Sequence, residues 1–179
     1  MAKKIKSNSA DKIWGITRIS LGFVFLWAFF DKLIGLGFAT CRNVETGAVE
    51  NMCSKAWLEG GSPTSGFLKF GTEGSPLESM FQSMAGNAFW DWLFMLGLLG
   101  IGLALTLGIG MKIAAYAGAL LMFFMYLATF QPENNPLIDD HIIYALVLIG
   151  LYKVNGKQEF GIGKWWAKQD VVKKHSLLK

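Results

Sequence analysis

Two stretches of this chain carry no Asp, Glu, Lys or Arg: one lies between Asp91 and Lys112, the other between Lys112 and Glu133. About 20 mostly apolar residues in a helix span the hydrocarbon core of a bilayer. Backbone in lipid must satisfy its own hydrogen bonds, which favours helices. Two more apolar runs flank the pair. The first is interrupted by Arg18 near one end and by Asp31 and Lys32 near the other, and the last opens on Asp139, Asp140 and His141. The expected spans are 14–37, 89–110, 112–131 and 137–153. The last is the shortest, but 144–152 is apolar all round, whereas a helix lying on a membrane surface would show a polar face.

Composition excludes the other uses of this length. Charged residues make up 17% of the chain and hydrophobic ones 53%, with 14 Phe and 7 Trp. Soluble domains carry roughly 25% charge, so there is too little here to coat a globule of this apolarity. The same numbers exclude disorder, and two cysteines are too few for a disulfide-built mini-domain. The amino end is basic and then apolar, as in a signal peptide, but the apolar stretch is too long and no small-x-small site follows. The first helix is expected to be retained; 38–41 is a poor fit to a lipoprotein cleavage site. The fold expected is an all-α membrane protein. It is a single domain over 1–179, a four-transmembrane-helix bundle with a long extracytoplasmic capping loop, 39–88, between helices 1 and 2.

Basic residues set the orientation. An even number of crossings puts both termini on one side, which then holds 13 of the 17 Lys and Arg, while ten of the 13 acidic residues fall on the other. The positive-inside rule places both termini in the cytoplasm of a plasma-membrane protein. Anionic lipids account for the basic tails, so no nucleic-acid partner is expected. The tail 157–179, with Trp165, Trp166, Val171, Val172, Leu177 and Leu178 among lysines, reads as a short amphipathic helix on the inner membrane face; a solvated tail is the alternative. Small residues four apart, Gly100-x3-Ala104-x3-Gly108 and Ala114-x3-Gly118, predict a tight hairpin between the second and third spans.

The loop is too apolar for a free linker, and Ser75-Pro76-Leu77-Glu78 predicts a helix over 76–84 with Ser75 as its cap. Cys41 and Cys53 lie in it; on an extracytoplasmic loop the pair predicts a structural disulfide, with a redox-active pair as the alternative. No metal site is expected from two cysteines. The only histidines are His141 and His175, so neither haem nor an iron–sulfur cluster is expected.

Placed by depth, Asp31, Lys32, Asp91, Asp139, Asp140 and His141 converge on one mouth of the bundle. Ionisable groups at membrane depth are functional candidates by default, and this set could move protons or hold a polar substrate. Each has a plainer reading. Asn135, Pro136, Asp139 and Asp140 suit a helix start, as does Asp91. Asp31 and Lys32 can reach the interface, and Trp90 and Trp92 suit an aromatic belt. Arg18, about one turn inside the first span, either reaches lipid headgroups or pairs with an anionic group in the bundle. Trp27, Phe30, Tyr126 and Tyr144 could line a quinone cavity, or serve as core or lipid-facing surface.

Three motifs together resemble one family. The first span reads Arg18-x3-Gly22-Phe23-x-Phe25-Leu26-x5-Lys32-Leu33, the loop Trp57-Leu-Glu-Gly-Gly-Ser-Pro-Thr-Ser-Gly-Phe-Leu68, and the second span Leu96-Gly-Leu-Leu-Gly-Ile-Gly-Leu-Ala-Leu-Thr-Leu-Gly108. Over roughly 13–153 the chain resembles the DoxX/DoxD family of small four-span membrane proteins, the loop motif pointing to the DoxD branch. The resemblance implies the membrane subunit of a thiosulfate:quinone oxidoreductase, with quinone as electron acceptor, a small sulfur anion as substrate and a second, separate subunit as partner. It puts Arg18, Lys32, Trp57, Ser62 and Thr64 at motif positions. The other function classes are a non-catalytic membrane scaffold or assembly subunit of a larger complex, and a small transporter.

Overall fold

The structure, a computed structural model, describes residues 9–130, 135, 137–154 and 160–178. Pro136, the first residues of the tail and Lys179 lie outside the described residues, as does the basic stretch before residue 9. Among the described residues there is no strand, only an isolated bridge between Arg42 and Val49.

Three helices are long and apolar enough to cross a membrane, which marks the chain as a membrane protein: α1 (Ser9–Ile34), α4 (Ala88–Leu107) and α5 (Met111–Ala128). Between them lie the short α2 (Ser65–Phe70) and α3 (Glu78–Met84). After them come α6 (Asp140–Lys153), α7 (Gly163–Trp166) and α8 (Asp170–Lys174). α6 has 14 residues, which at 1.5 Å each is about 21 Å, short of the roughly 30 Å hydrocarbon core.

Local chemistry sets the helix ends. α1 carries Asp11 in its first turn and Lys32 in its last, each matching the local sign of the helix dipole. It stops before residue 37 because Gly35 and Gly37 take positive φ, a region where only glycine pays no steric cost. α4 is capped by the Asn87 side chain, which accepts the Phe89 N–H. It ends at Leu107, earlier than expected, because Gly108 takes a left-handed conformation and returns its N–H to Ala104 O at 2.8 Å. α6 is capped by Asp139, whose side chain accepts the Ile142 N–H.

α1 packs on α4, α4 on α5 and α5 on α6. One core runs through all four, including Leu21, Phe25, Met95, Leu105, Met122 and Leu148. The close approaches fall only partly on the expected stripe. Gly100 is exposed and has open space where a side chain would stand. A Cβ on Gly22 would instead lie 2.6 Å from Thr106 Oγ1, and one on Gly102 2.7 Å from Leu26 Cγ, so glycine brings α1 against α4. Gly118 is tightest against Leu148 of α6, at 2.9 Å, with Ile101 of α4 at 3.4 Å. Size at the true contact decides which glycines matter, and one sequence does not reveal which helix faces which.

The loop folds onto the bundle through a second cluster, in which Leu68 of α2 and Phe81 of α3 join Ala128 at the end of α5. Ser75 does not cap α3, which begins two residues after Pro76. The Ser75 hydroxyl donates to Leu127 O at 3.1 Å and accepts the Leu77 N–H at 3.3 Å, tying the loop to α5.

Candidate functional site

The rim where α1 ends and α4 begins gathers Asp31, Lys32, Asp91, Trp57, Ser62 and Thr64 of the sequence-predicted residues. Asp31 is 1% exposed. One carboxylate oxygen accepts the Phe38 N–H and the other the Ala39 N–H, both at 2.9 Å, so the acid fixes the chain as it leaves α1. Beyond it Cys41 and Cys53 are joined in a disulfide, and the Met52 N–H donates to Ile34 O at 2.9 Å. In the chain-entropy model a loop of that length contributes about 3 kcal/mol.

Asp91, one turn into α4, is 6% exposed. Its Oδ1 accepts three hydrogen bonds from the loop: Thr64 Oγ1 at 2.6 Å, Ser62 Oγ at 2.8 Å and the Thr64 N–H at 3.2 Å. A buried carboxylate with three donors is a satisfied anchor. Trp57, in a single 3-10 turn, Trp57–Glu59, meets Trp92 edge-on with ring centroids 4.6 Å apart. The motif residues Trp57, Ser62 and Thr64 thus all dock on the first turn of α4.

Lys32 is half-buried, with Nζ 5.9 Å from the centroid of Phe94 of α4. Among the described residues no carboxylate lies within ion-pair distance of it.

The remaining rim groups stand apart. His141 Nδ1 lies 2.6 Å from Asp139 Oδ2. An ionised carboxylate can only accept, so Nδ1 carries the proton and Nε2 is left for exchange. Burial pushes the Asp139 carboxyl up, but hydrogen bonds from His141 and the Ile142 N–H, with the His141 charge, outweigh it and hold it below the ordinary carboxylate value. Asp140 is exposed. Among the described residues no hydrogen bond or ion pair joins Asp31, Asp91 and Asp139 to one another. Direct contact therefore sorts the cluster into three local groups: Asp31 with the loop backbone, Asp91 with Ser62 and Thr64, and Asp139 with His141. Nor do the described residues bring three or more His, Cys, Asp or Glu together in a way that could hold a metal ion.

The four aromatic candidates sit on three helices. Trp27 and Phe30 of α1 and Tyr144 of α6 are exposed. Tyr126 of α5 is buried, donates its hydroxyl to Leu137 O at 2.9 Å and lies edge-on to Phe130. An apolar cleft of about 160 Å³ opens beside it, lined by Pro76, Leu77, Leu127 and Phe130.

Arg18 lies at the opposite end and is 1% exposed. It does not reach outward, and among the described residues it meets no acid. Its guanidinium donates to the carbonyls of Leu105, of Thr106 at 3.3 Å and of Phe160 at 2.9 Å. These include the last carbonyls of α4, the negative end of that helix. Its Nε and the Thr106 hydroxyl have no hydrogen-bond partner among the described residues. The sequence gives no sign of this site, because carbonyl acceptors carry no residue-type signature. No protein-family model matches the chain, and neither a curated protein nor a solved structure matches it.

Proposed function

We propose that the chain is the membrane subunit of a quinone-linked oxidoreductase of the DoxX/DoxD kind, acting on thiosulfate or a similar small sulfur anion. In this reading α6 is the fourth crossing, the loop 39–88 caps the extracytoplasmic end, and both termini lie in the cytoplasm. The observation that carries it is Lys32, a half-buried rim cation that feels the charge of neighbouring Asp31 but has no carboxylate among the described residues within ion-pair distance. An ammonium that makes no direct ion pair at a low-dielectric mouth, with only neighbouring Asp31 offsetting its charge from a distance, attracts a small anion. Asp31 and Asp91 act as positioning residues that hold the loop around it. His141, fixed through Nδ1 by Asp139, exchanges protons at Nε2. Two thiosulfates joined through a new S–S bond release two electrons, and quinone takes these up with two protons to become quinol. Trp27, Phe30 and Tyr144 lie on the exposed surface past which a lipid-borne quinone would approach, and the second subunit supplies what this chain lacks.

One observation favours a second reading, a non-catalytic scaffold: Met95, Leu105, Met111, Leu148 and Leu151 expose no surface, so the interior is packed. Thiosulfate-dependent quinone reduction by the purified protein, alone and with any co-purifying partner, separates the two. The oxidoreductase reading expects reduction in the presence of the partner, and a raised KM for thiosulfate in Lys32→Gln. No reduction in either preparation, with a larger enzyme still co-purifying, would establish the scaffold.

A further inference from the structure

The chain after α6 does not hang free. Phe160 O is held by Arg18, the Ile162 N–H donates to Leu107 O at 2.8 Å, and a Cβ on Gly161 would lie 2.5 Å from that same oxygen. Further along, Val172 is completely buried and Trp166 Nε1 donates to Leu178 O at 2.7 Å. The segment 160–178 is thus folded, and it is latched to the turn between α4 and α5, where two spans leave the membrane. Despite this packing it exposes Phe160, Trp165, Val171 and Leu177. Between them stand the exposed lysines Lys164, Lys168, Lys173 and Lys174, against a single acid, Asp170, which Lys173 meets at 2.9 Å.

We propose that this latched segment is a docking surface for a bilayer containing anionic phospholipid, which Arg18 holds at headgroup level. Large apolar side chains interleaved with ammonium groups match the boundary between acyl chains and phosphates. The excess of four lysines over one acid selects negatively charged headgroups, and continuity with the ends of α4 and α5 brings that surface within reach. The inference does not depend on any redox activity of the chain.

The test uses the full-length protein. Among the described residues there is no free cysteine, and the sequence has none besides the disulfide pair. A cysteine introduced as Leu177→Cys therefore takes an environment-sensitive fluorophore at one place. The labelled chain is reconstituted in nanodiscs of phosphatidylcholine, with and without phosphatidylglycerol. Emission should shift to the blue, and quenching by a bilayer-embedded quencher should rise, only where phosphatidylglycerol is present; high salt should reverse both. Removing one lysine, as in Lys168→Ala, should lower the ratio of bound to free tail by about fivefold. Arg18→Gln, which frees Phe160 O, should weaken the shift while leaving the lysines intact. The same emission in both bilayers would overturn the proposal, as would lipid dependence that survives replacement of all four lysines by alanine.

Discussion

At the scale of single residues, the charges of this protein act first as anchors for backbone and hydroxyl groups. Asp91 is the clearest case, because one oxygen collects three donors from a loop more than twenty residues away in sequence. Removing that acceptor leaves two hydroxyls and an N–H unpaired, and hydrogen bonds to a charged group contribute about 1.5–3 kcal/mol each in net terms. Asp91→Ala should therefore destabilise the protein by at least about 4 kcal/mol, read as a lower melting temperature in detergent and faster proteolysis between Trp57 and Phe70. Thr64→Val, which spares the carboxylate, should cost less. Asp139 predicts a pH dependence. Its carboxyl is held below the ordinary value in the folded chain, so its contribution is complete above about pH 4, the unfolded value, and is lost as pH falls through the lower folded one. Asp139→Ala, which removes the α6 cap, should cost about 1 kcal/mol at pH 7, and melting curves should show that difference shrinking on acidification below pH 4. The residue types at the rim were legible in the sequence, because a charge in an apolar chain stands out. Their partners were not. Asp31 and Arg18 bond to main-chain atoms, which every residue possesses, and Ser62 and Thr64 stood out only as motif positions, with nothing to name Asp91 as their partner.

At the scale of elements, the apolar runs found every long helix, because absence of charge over membrane length is a strong signal. Their ends moved by a few residues wherever a glycine with positive φ stopped the helix, at Gly35 and Gly108. Which glycines make helix contacts was not legible, since a small-residue stripe reads the same whether it faces a neighbour or lipid. The structure separates the cases. A side chain at Gly22 would meet the Thr106 backbone nitrogen at 2.8 Å, and backbone cannot move aside cheaply, whereas one at Gly100 meets nothing within 4 Å. Gly22→Leu should therefore cost at least the roughly 1–3 kcal/mol of an overpacked core, by prising α1 from α4. Gly100→Leu should stay within about 0.5 kcal/mol of the parent. Thermal unfolding of the two variants side by side checks this, and equal losses would mean that α4 turns a different face to α1.

At the scale of the whole molecule, the open question of topology is how often the chain crosses the bilayer, and α6 decides it. By length alone α6 falls short, and three crossings would put the termini on opposite sides. The proposal of four crossings rests on the placement of the segments flanking α6. α6 packs along α5, and Leu137, just ahead of it, receives the hydroxyl of Tyr126, near the end of α5. After α6, Phe160 and Ile162 are bonded to Arg18 and Leu107, near the start of α1 and at the end of α4. Between residues 137 and 160 the chain has thus travelled from one end of the bundle to the other, as it did through α5 in the opposite sense. A 21 Å helix can make that journey if the bilayer thins locally or the polar groups flanking it reach outward, at fractions of a kcal/mol per Å of mismatch. Single cysteines introduced at exposed Glu59 and at exposed Leu177, in a background lacking the native pair, should be labelled by a membrane-impermeant thiol reagent from opposite faces of sealed vesicles. One at Ile13, in the first turns of α1, should follow Leu177. Labelling of positions 13 and 177 from opposite faces would mean that α6 does not cross, and would put the lysine-rich tail on the same side as Lys32.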